Sequence, residues 1–212
     1  MRVSRERTSE IEPGGRTAIV LAGGRSVRMG MDKASLVLQG ESLLARVIGR
    51  IAAHWDSVLV VAAPGQSLPK ISTDSVRVLR DEYPGKGPLS GIYTGLKAAR
   101  TTYCSVVACD MPFANSLLLS YMLDAAQAGD YEAVIPLAGG RLQYLHAVYK
   151  RTLFGPIEQA LRGDLLAIHT FVGNRHIRTI SESDVMSVEP EMKFHLNVNT
   201  PEDLTRAVNA LT

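Results

Sequence analysis

The chain has 212 residues, 46% of them hydrophobic, which suits one ordinary globular domain with a sizeable core. Its 23 basic residues nearly balance 21 acidic ones, and a net charge of +2 argues against nucleic acid or an anionic membrane surface as partners; any positive potential must be local. Apolar runs such as residues 58–63 and 106–109 fall far short of the roughly 20 residues that span a bilayer, so no membrane segment is expected.

The first sixteen residues, MRVSRERTSEIEPGGR, mix charges without an apolar segment. Residues 1–16 therefore read as a loose tail, neither secretory signal nor anchor, and residues 17–212 as one domain. Runs rich in Val and Ile at residues 17–21, 57–62, 76–79 and 105–109 have the length of buried strands. Between them, residues 42–55 place Leu43, Leu44, Val47, Ile48 and Ile51 on one helical face, and residues 91–100 do the same with Ile92, Leu96 and Ala99. This alternation predicts an α/β fold: a single doubly wound, mostly parallel sheet with helices on both faces. Cys104 and Cys109, five residues apart on one extended segment, point to opposite faces, which predicts free thiols and a reducing cytoplasm.

After Glu132 the pattern loosens into short runs at 133–136, 145–149 and 176–180. Residues 194–198 read as a strand. Thr200-Pro201-Glu202-Asp203 then supplies an N-cap, a first-turn proline and acidic residues for a terminal helix.

The stretch LAGGRSVRMGMDKA, residues 21–34, follows the first strand and concentrates glycines beside Arg28 and Lys33. A glycine-rich turn between strand and helix lets backbone N–H groups approach an anion, so the spacing leaves phosphate binding and a solvated basic loop as alternatives. It matches neither G-x-G-x-x-G nor a P-loop, since Met31 follows Gly30. Five histidines show no zinc spacing, and no nucleophilic triad motif is present.

The pattern L-A-G-G-x-S-x-R-M-G-x-D-K resembles the signature loop of the molybdenum cofactor guanylyltransferases, and the similarity continues through RDEYPGKGPLSGI, CDMPF, QYLHAVY and FHLNVNTPEDL. That resemblance implies a Rossmann-like, glycosyltransferase-A-like nucleotidyltransferase. It would carry GMP from GTP to the molybdopterin form of the molybdenum cofactor, releasing pyrophosphate, with Mg2+ as cofactor. Cofactor insertion proteins or molybdoenzymes are the further partners it implies.

By the same resemblance, Leu21, Ala22, Gly23 and Gly24 hold the nucleotide through the loop backbone, and Arg28 and Lys33 meet its triphosphate. The planar fork of Arg28 suits bidentate phosphate capture, and the point charge of Lys33 suits the departing pyrophosphate. Asp110 follows a buried run and so stands at a strand's carboxyl end, where open α/β sheets bind ligands; the resemblance gives it Mg2+, and a turn-capping role is the alternative. Asp81 belongs to the nucleotide site, either reading guanine or completing the magnesium shell indirectly. Asn197 and Asn199, alternating on the expected strand, would order the metal or the second substrate. Because the attacking group is an already ionised phosphate, direct in-line transfer needs no general-base histidine, and His146 is left between structural and pterin-contacting roles.

This chain departs from the family pattern at three places. Ala62 stands where an asparagine often contributes to nucleotide binding, Tyr144 replaces a proline, and Gly85-Lys86-Gly87 lengthens the loop before Pro88. Cytidylyl transfer to the same cofactor, sugar nucleotidyl transfer and non-catalytic delivery of the cofactor remain as alternatives. Ala22-Gly23-Gly24, in place of the Ala-Ala-Gly of the cytidylyltransferases, favours guanine.

Overall fold

A computed structural model describes residues 15–23, 32–71 and 75–211; the chain up to residue 14, with Gly24 and Arg28 of the glycine-rich stretch, lies outside the described residues. In chain order the strands are β1 (Thr17–Leu21), β2 (Val37–Leu38), β3 (Glu41–Ser42), β4 (Ser57–Ala62), β5 (Val76–Arg80), β6 (Tyr103–Ala108), β7 (Ala133–Ala138), β8 (Arg141–Leu142), β9 (His146–Lys150) and β10 (Ile177–Ile180). The helices are α1 (Leu43–Ala52), α2 (Pro88–Ala98), α3 (Ser116–Gly129), α4 (Phe154–Arg162), α5 (Ile168–Val172), α6 (Glu182–Val188) and α7 (Pro201–Asn209).

Strands β5, β4, β1 and β6 lie side by side and parallel. The sheet continues through β9, β7 and β10, with β8 paired to β7. β9 runs antiparallel to both neighbours, so the sheet is mostly parallel with one reversed strand inside it. β2 and β3 form a separate hairpin whose turn, Gln39-Gly40, takes positive φ at both residues, as tight hairpins require.

Successive residues of β1 face opposite ways: Ala18 and Val20 pack with α1, α3 and α6, whereas Ile19 and Leu21 pack with α2, α4 and α5. Both faces are covered. That is why these strands read as unbroken apolar runs rather than as alternating ones. α2 approaches β1 so closely that a Cβ on Gly95 would fall 2.5 Å from Ile19 Cγ2, so only hydrogen fits there.

Local sequence explains most element ends. Ser42 starts α1 by accepting the Ala45 N–H at 3.2 Å, and Pro88 opens α2 three residues before the expected start, since a first-turn proline loses no helical hydrogen bond. Thr200 and Asp203 form a full capping box at α7.

The expected strand over residues 194–198 does not form: Lys193–His195 is a short 3-10 turn and residues 196–199 are irregular. The backbone donors there go elsewhere. Lys193 and Phe194 N–H groups both donate to the Glu189 carboxylate at 3.1 Å, and Val198 N–H donates to the Asp110 carbonyl at 2.8 Å, which leaves no ladder to build. Among the described residues no helix is long and apolar enough to cross a membrane.

Candidate active site

From β1 the chain winds outward through β4 to β5, then returns to lay β6 on the opposite side of β1. The carboxyl ends of β1 and β6 thus flank the point where strand order reverses, the crevice in which open α/β sheets bind ligands. The two ends are stitched together by Cys109 N–H, which donates to the Leu21 carbonyl at 3.0 Å. Asp110, the next residue, therefore stands beside the turn that leaves β1. In that turn, Ala22 and Gly23 N–H groups both donate to the Val61 carbonyl, at 2.8 and 3.2 Å, bending the chain toward β4.

Asp32 begins the return of the chain and caps the 3-10 turn Lys33–Ser35 by accepting the Ala34 N–H at 3.0 Å. That turn aims Lys33 at the end of β6. Its ammonium donates to Asp110 Oδ2 at 2.8 Å and also to Asn199 Oδ1. The third member is held from behind, because the Asp203 carboxylate accepts both Asn199 and Thr200 N–H groups at 2.9 Å. Lys33 and Asp110 side chains are only 20% and 13% exposed, so their pairing is better shielded from solvent than a surface salt bridge.

Asp110 Oδ1 is buried and has no hydrogen-bond partner among the described residues. An unpartnered buried carboxylate oxygen is costly, and it invites a cation or a donor from a ligand. Among the described residues no group of three or more His, Cys, Asp or Glu side chains could hold a metal by itself. A single carboxylate fits a hard cation that takes its remaining ligands from phosphates and water, as Mg2+ does.

Other expected residues are placed differently. Asp81 is turned onto its own neighbourhood: its carboxylate accepts Tyr83 N–H at 3.0 Å and the Ser90 hydroxyl at 2.8 Å, tying the end of β5 to α2. Leu21 packs its side chain under α2 at Gly91. Asn197 is exposed and lines a cavity of about 260 Å3 with His195, Asp203 and Arg206, so the two asparagines do not share a strand face. Ala62 is fully buried, and its carbonyl accepts the Asp81 N–H at 2.9 Å. Lys86, in the lengthened loop, is anchored at 2.7 Å to both the Leu161 carbonyl and Asp164. The carbonyl of Tyr144 accepts the Tyr149 hydroxyl at 2.8 Å.

His146 is structural. Fully buried on β9, it accepts the Asn115 N–H on Nε2 at 3.0 Å and packs on Phe194 with ring centroids 4.8 Å apart. Burial pushes its pKa down to about 3, so the ring is neutral. Sequence reasoning missed Gln66, whose side chain bonds both Ala22 and Asp32; no motif surrounds it.

The family pattern described as MobA-like NTP transferase domain matches residues 18–179. The chain belongs to this family. Among its MobA-like relatives, the probable molybdenum cofactor guanylyltransferase of Mycobacterium avium is 38% identical over 91% of this chain and 94% of its own length. The protein of the same description from Pelotomaculum thermopropionicum is 35% identical over 90% and 91%. In three dimensions the molybdopterin-guanine dinucleotide biosynthesis protein A of Archaeoglobus fulgidus superposes with a TM-score of 0.78, covering 92% of this chain and 98% of that one at 22% identity. The 2-C-methyl-D-erythritol 4-phosphate cytidylyltransferase of Thermus thermophilus shares the fold at a TM-score of 0.69, 20% identity and 92% and 98% coverage. The MobA-like chain is thus a nucleotidyltransferase by family.

Proposed function

We propose that this protein transfers GMP from GTP to the molybdopterin form of the molybdenum cofactor. A terminal phosphate oxygen of the cofactor attacks the α-phosphorus of GTP; that P–O bond forms as the bond to the β-phosphate oxygen breaks, and pyrophosphate leaves with the electron pair. Two polyanions must meet for this to happen. The observation that carries the reading is the convergence of Lys33, Asp110 and Asn199 at the switch point beside the turn after β1.

Lys33 supplies positive charge where the triphosphate lies, and Asn199 holds its ammonium without adding negative charge. Asp110, through its unpartnered Oδ1, is the residue that would hold Mg2+, which on binding polarises the phosphate and steadies the leaving group. Ala22 and Gly23 shape the turn that receives the nucleotide. Arg28 and Gly24, outside the described residues, are assigned to the triphosphate and the loop backbone, Asp81 to the wall of the nucleotide site, and Asn197 to the side facing the second substrate. Guanine is favoured by the curated relatives, which are described as guanylyltransferases. Two fully buried free thiols, Cys104 and Cys109, agree with a reducing cytoplasm, where cofactor insertion proteins or molybdoenzymes would receive the product.

The test is pyrophosphate release with GTP or CTP, with and without molybdopterin cofactor. Release that requires GTP and cofactor together is the expected result. A higher kcat/KM with CTP would overturn the guanine assignment, and tight GTP binding without turnover would make the protein a delivery factor.

A further inference from the structure

Gln66 lies in the turn that follows β4, and its side-chain amide bonds that turn and two distant segments. Its Oε1 accepts the Ala63 N–H at 2.9 Å. Its Nε2 donates to the Ala22 carbonyl at 3.0 Å and to both carboxylate oxygens of Asp32, at 2.9 and 2.7 Å. A primary amide has two N–H groups, so one serves Ala22 and the other is shared across the Asp32 carboxylate. The turn itself is fixed from outside. Arg80 donates to the carbonyls of Ala63 and Gln66 at 3.0 and 2.9 Å.

Ala22 and Asp32 stand on either side of residues 24–31, and Asp32 is the cap of the turn that carries Lys33. We infer that Gln66 is a positioning residue of the nucleotide site: one amide sets the spacing between the end of β1 and Asp32, and through Asp32 it aims Lys33 at the triphosphate. The inference rests on the proposed nucleotide reading of that site.

Two physical features favour a glutamine here. A carboxylate beside the path of a triphosphate repels it unless its charge is engaged, and the Gln66 amide engages both Asp32 oxygens with a charge-assisted hydrogen bond. A neutral donor does so without a second charge. Lysine in its place would add one, and glutamate would set two carboxylates face to face, a pair that cannot stay ionised at contact distance.

The experiment is a pair exchange. GTP affinity is measured by titration calorimetry, and kcat and KM for GTP by pyrophosphate release, for the wild type, Gln66→Glu, Gln66→Ala, Asp32→Asn and the double variant Gln66→Glu with Asp32→Asn. Melting temperature is recorded for each. Gln66→Glu should weaken GTP binding at least tenfold, and Gln66→Ala severalfold. Asp32→Asn keeps an oxygen for the Ala34 N–H but loses one of the two acceptors that face Gln66, so it should weaken GTP binding, though less than Gln66→Glu does. The double variant re-forms the contact to residue 32 with donor and acceptor exchanged but not the donation to the Ala22 carbonyl, so its affinity should lie between that of Gln66→Glu and that of the wild type.

If Gln66→Glu fails to fold, Gln66→Ala and the double variant carry the same comparison. A wild type that binds GTP beside Gln66 variants that bind it equally well would overturn the inference alone, as would a double variant as weak as Gln66→Glu while its melting temperature recovers. A wild type that binds no GTP would overturn the nucleotide reading and the inference with it.

Discussion

His146 offers a prediction in which burial sets the direction and the ordinary imidazole pKa sets the magnitude. Its ring is fully buried and its Nε2 accepts the N–H of Asn115, the residue that caps α3 by accepting the Leu118 N–H at 2.9 Å. Desolvation holds the folded pKa at about 3, against about 6.5 for an exposed imidazole. Between those values the unfolded chain carries a proton that the folded chain does not. The stabilisation from a neutral His146 is therefore fully present above about pH 6.5 and is lost as pH falls toward 3.

At pH 5 the unfolded state sits about 1.5 pH units below its own pKa, which is worth about 2 kcal/mol of lost stability. Because the folded pKa lies about two units lower again, this figure barely depends on its exact position. The assay is urea unfolding at pH 7.5, 6 and 5 for the wild type and His146→Gln, whose side-chain oxygen accepts the same N–H without titrating. Carboxylates common to both proteins cancel in the difference. The wild type should lose about 2 kcal/mol more than the variant between pH 7.5 and 5. Parallel curves would refute the reasoning, because they would mean that His146 takes up its proton without leaving the core.

Asp110→Ala should cut the rate by on the order of 10²–10³, the scale of losing a site's electrostatic anchor, while its melting temperature shifts by only a few degrees. Lost folding with unchanged specific activity in the soluble fraction would remove Asp110 from the chemistry. Gly95→Val should destabilise by about 1–3 kcal/mol, because even a Cβ meets Ile19 at 2.5 Å; urea unfolding checks it, and an unchanged midpoint would show that β1 can shift. Neither thiol should react with Ellman's reagent at pH 8 in the native protein, since burial pushes Cys104 up to about 12 and raises Cys109 as well; both should react after unfolding.

What the sequence reveals depends on how locally each feature is encoded. β1 and β4 are legible because strands covered on both faces become short apolar runs bounded by turn residues, whereas β5, half-exposed at the sheet edge, shows only through its alternating valines. α7 is legible from its cap alone. α3 is not, because SLLLSYMLDAAQAG is apolar nearly all round and gives the helical period little contrast. The reversal of β9 is likewise hidden, since an interior strand buries the same residues in either direction. In the site, Lys33 and Asp110 stand out because each adjoins an element end, whereas the strand expected to present Asn197 and Asn199 failed because its backbone donors go elsewhere, the Phe194 N–H to Glu189 and the Val198 N–H to the Asp110 carbonyl. Gln66 left little local trace: apart from Ala63 in its own turn, its partners are 44 and 34 residues away.

On the proposed reading, the arrangement also lets a chain with so little net charge present an anion site. Lys33 is brought to Asn199 across 166 residues of sequence, and to Asp110 across 77, by the strand order rather than by any cluster of basic residues. Its partners are one carboxylate and one neutral amide, so the three side chains carry no net charge together. Under the proposed function these three groups would therefore not repel an arriving triphosphate, and they would not attract anions indiscriminately. Holding the ammonium between two acceptors fixes its position in advance, so the orientation that the proposed transfer needs would be built by folding rather than by binding.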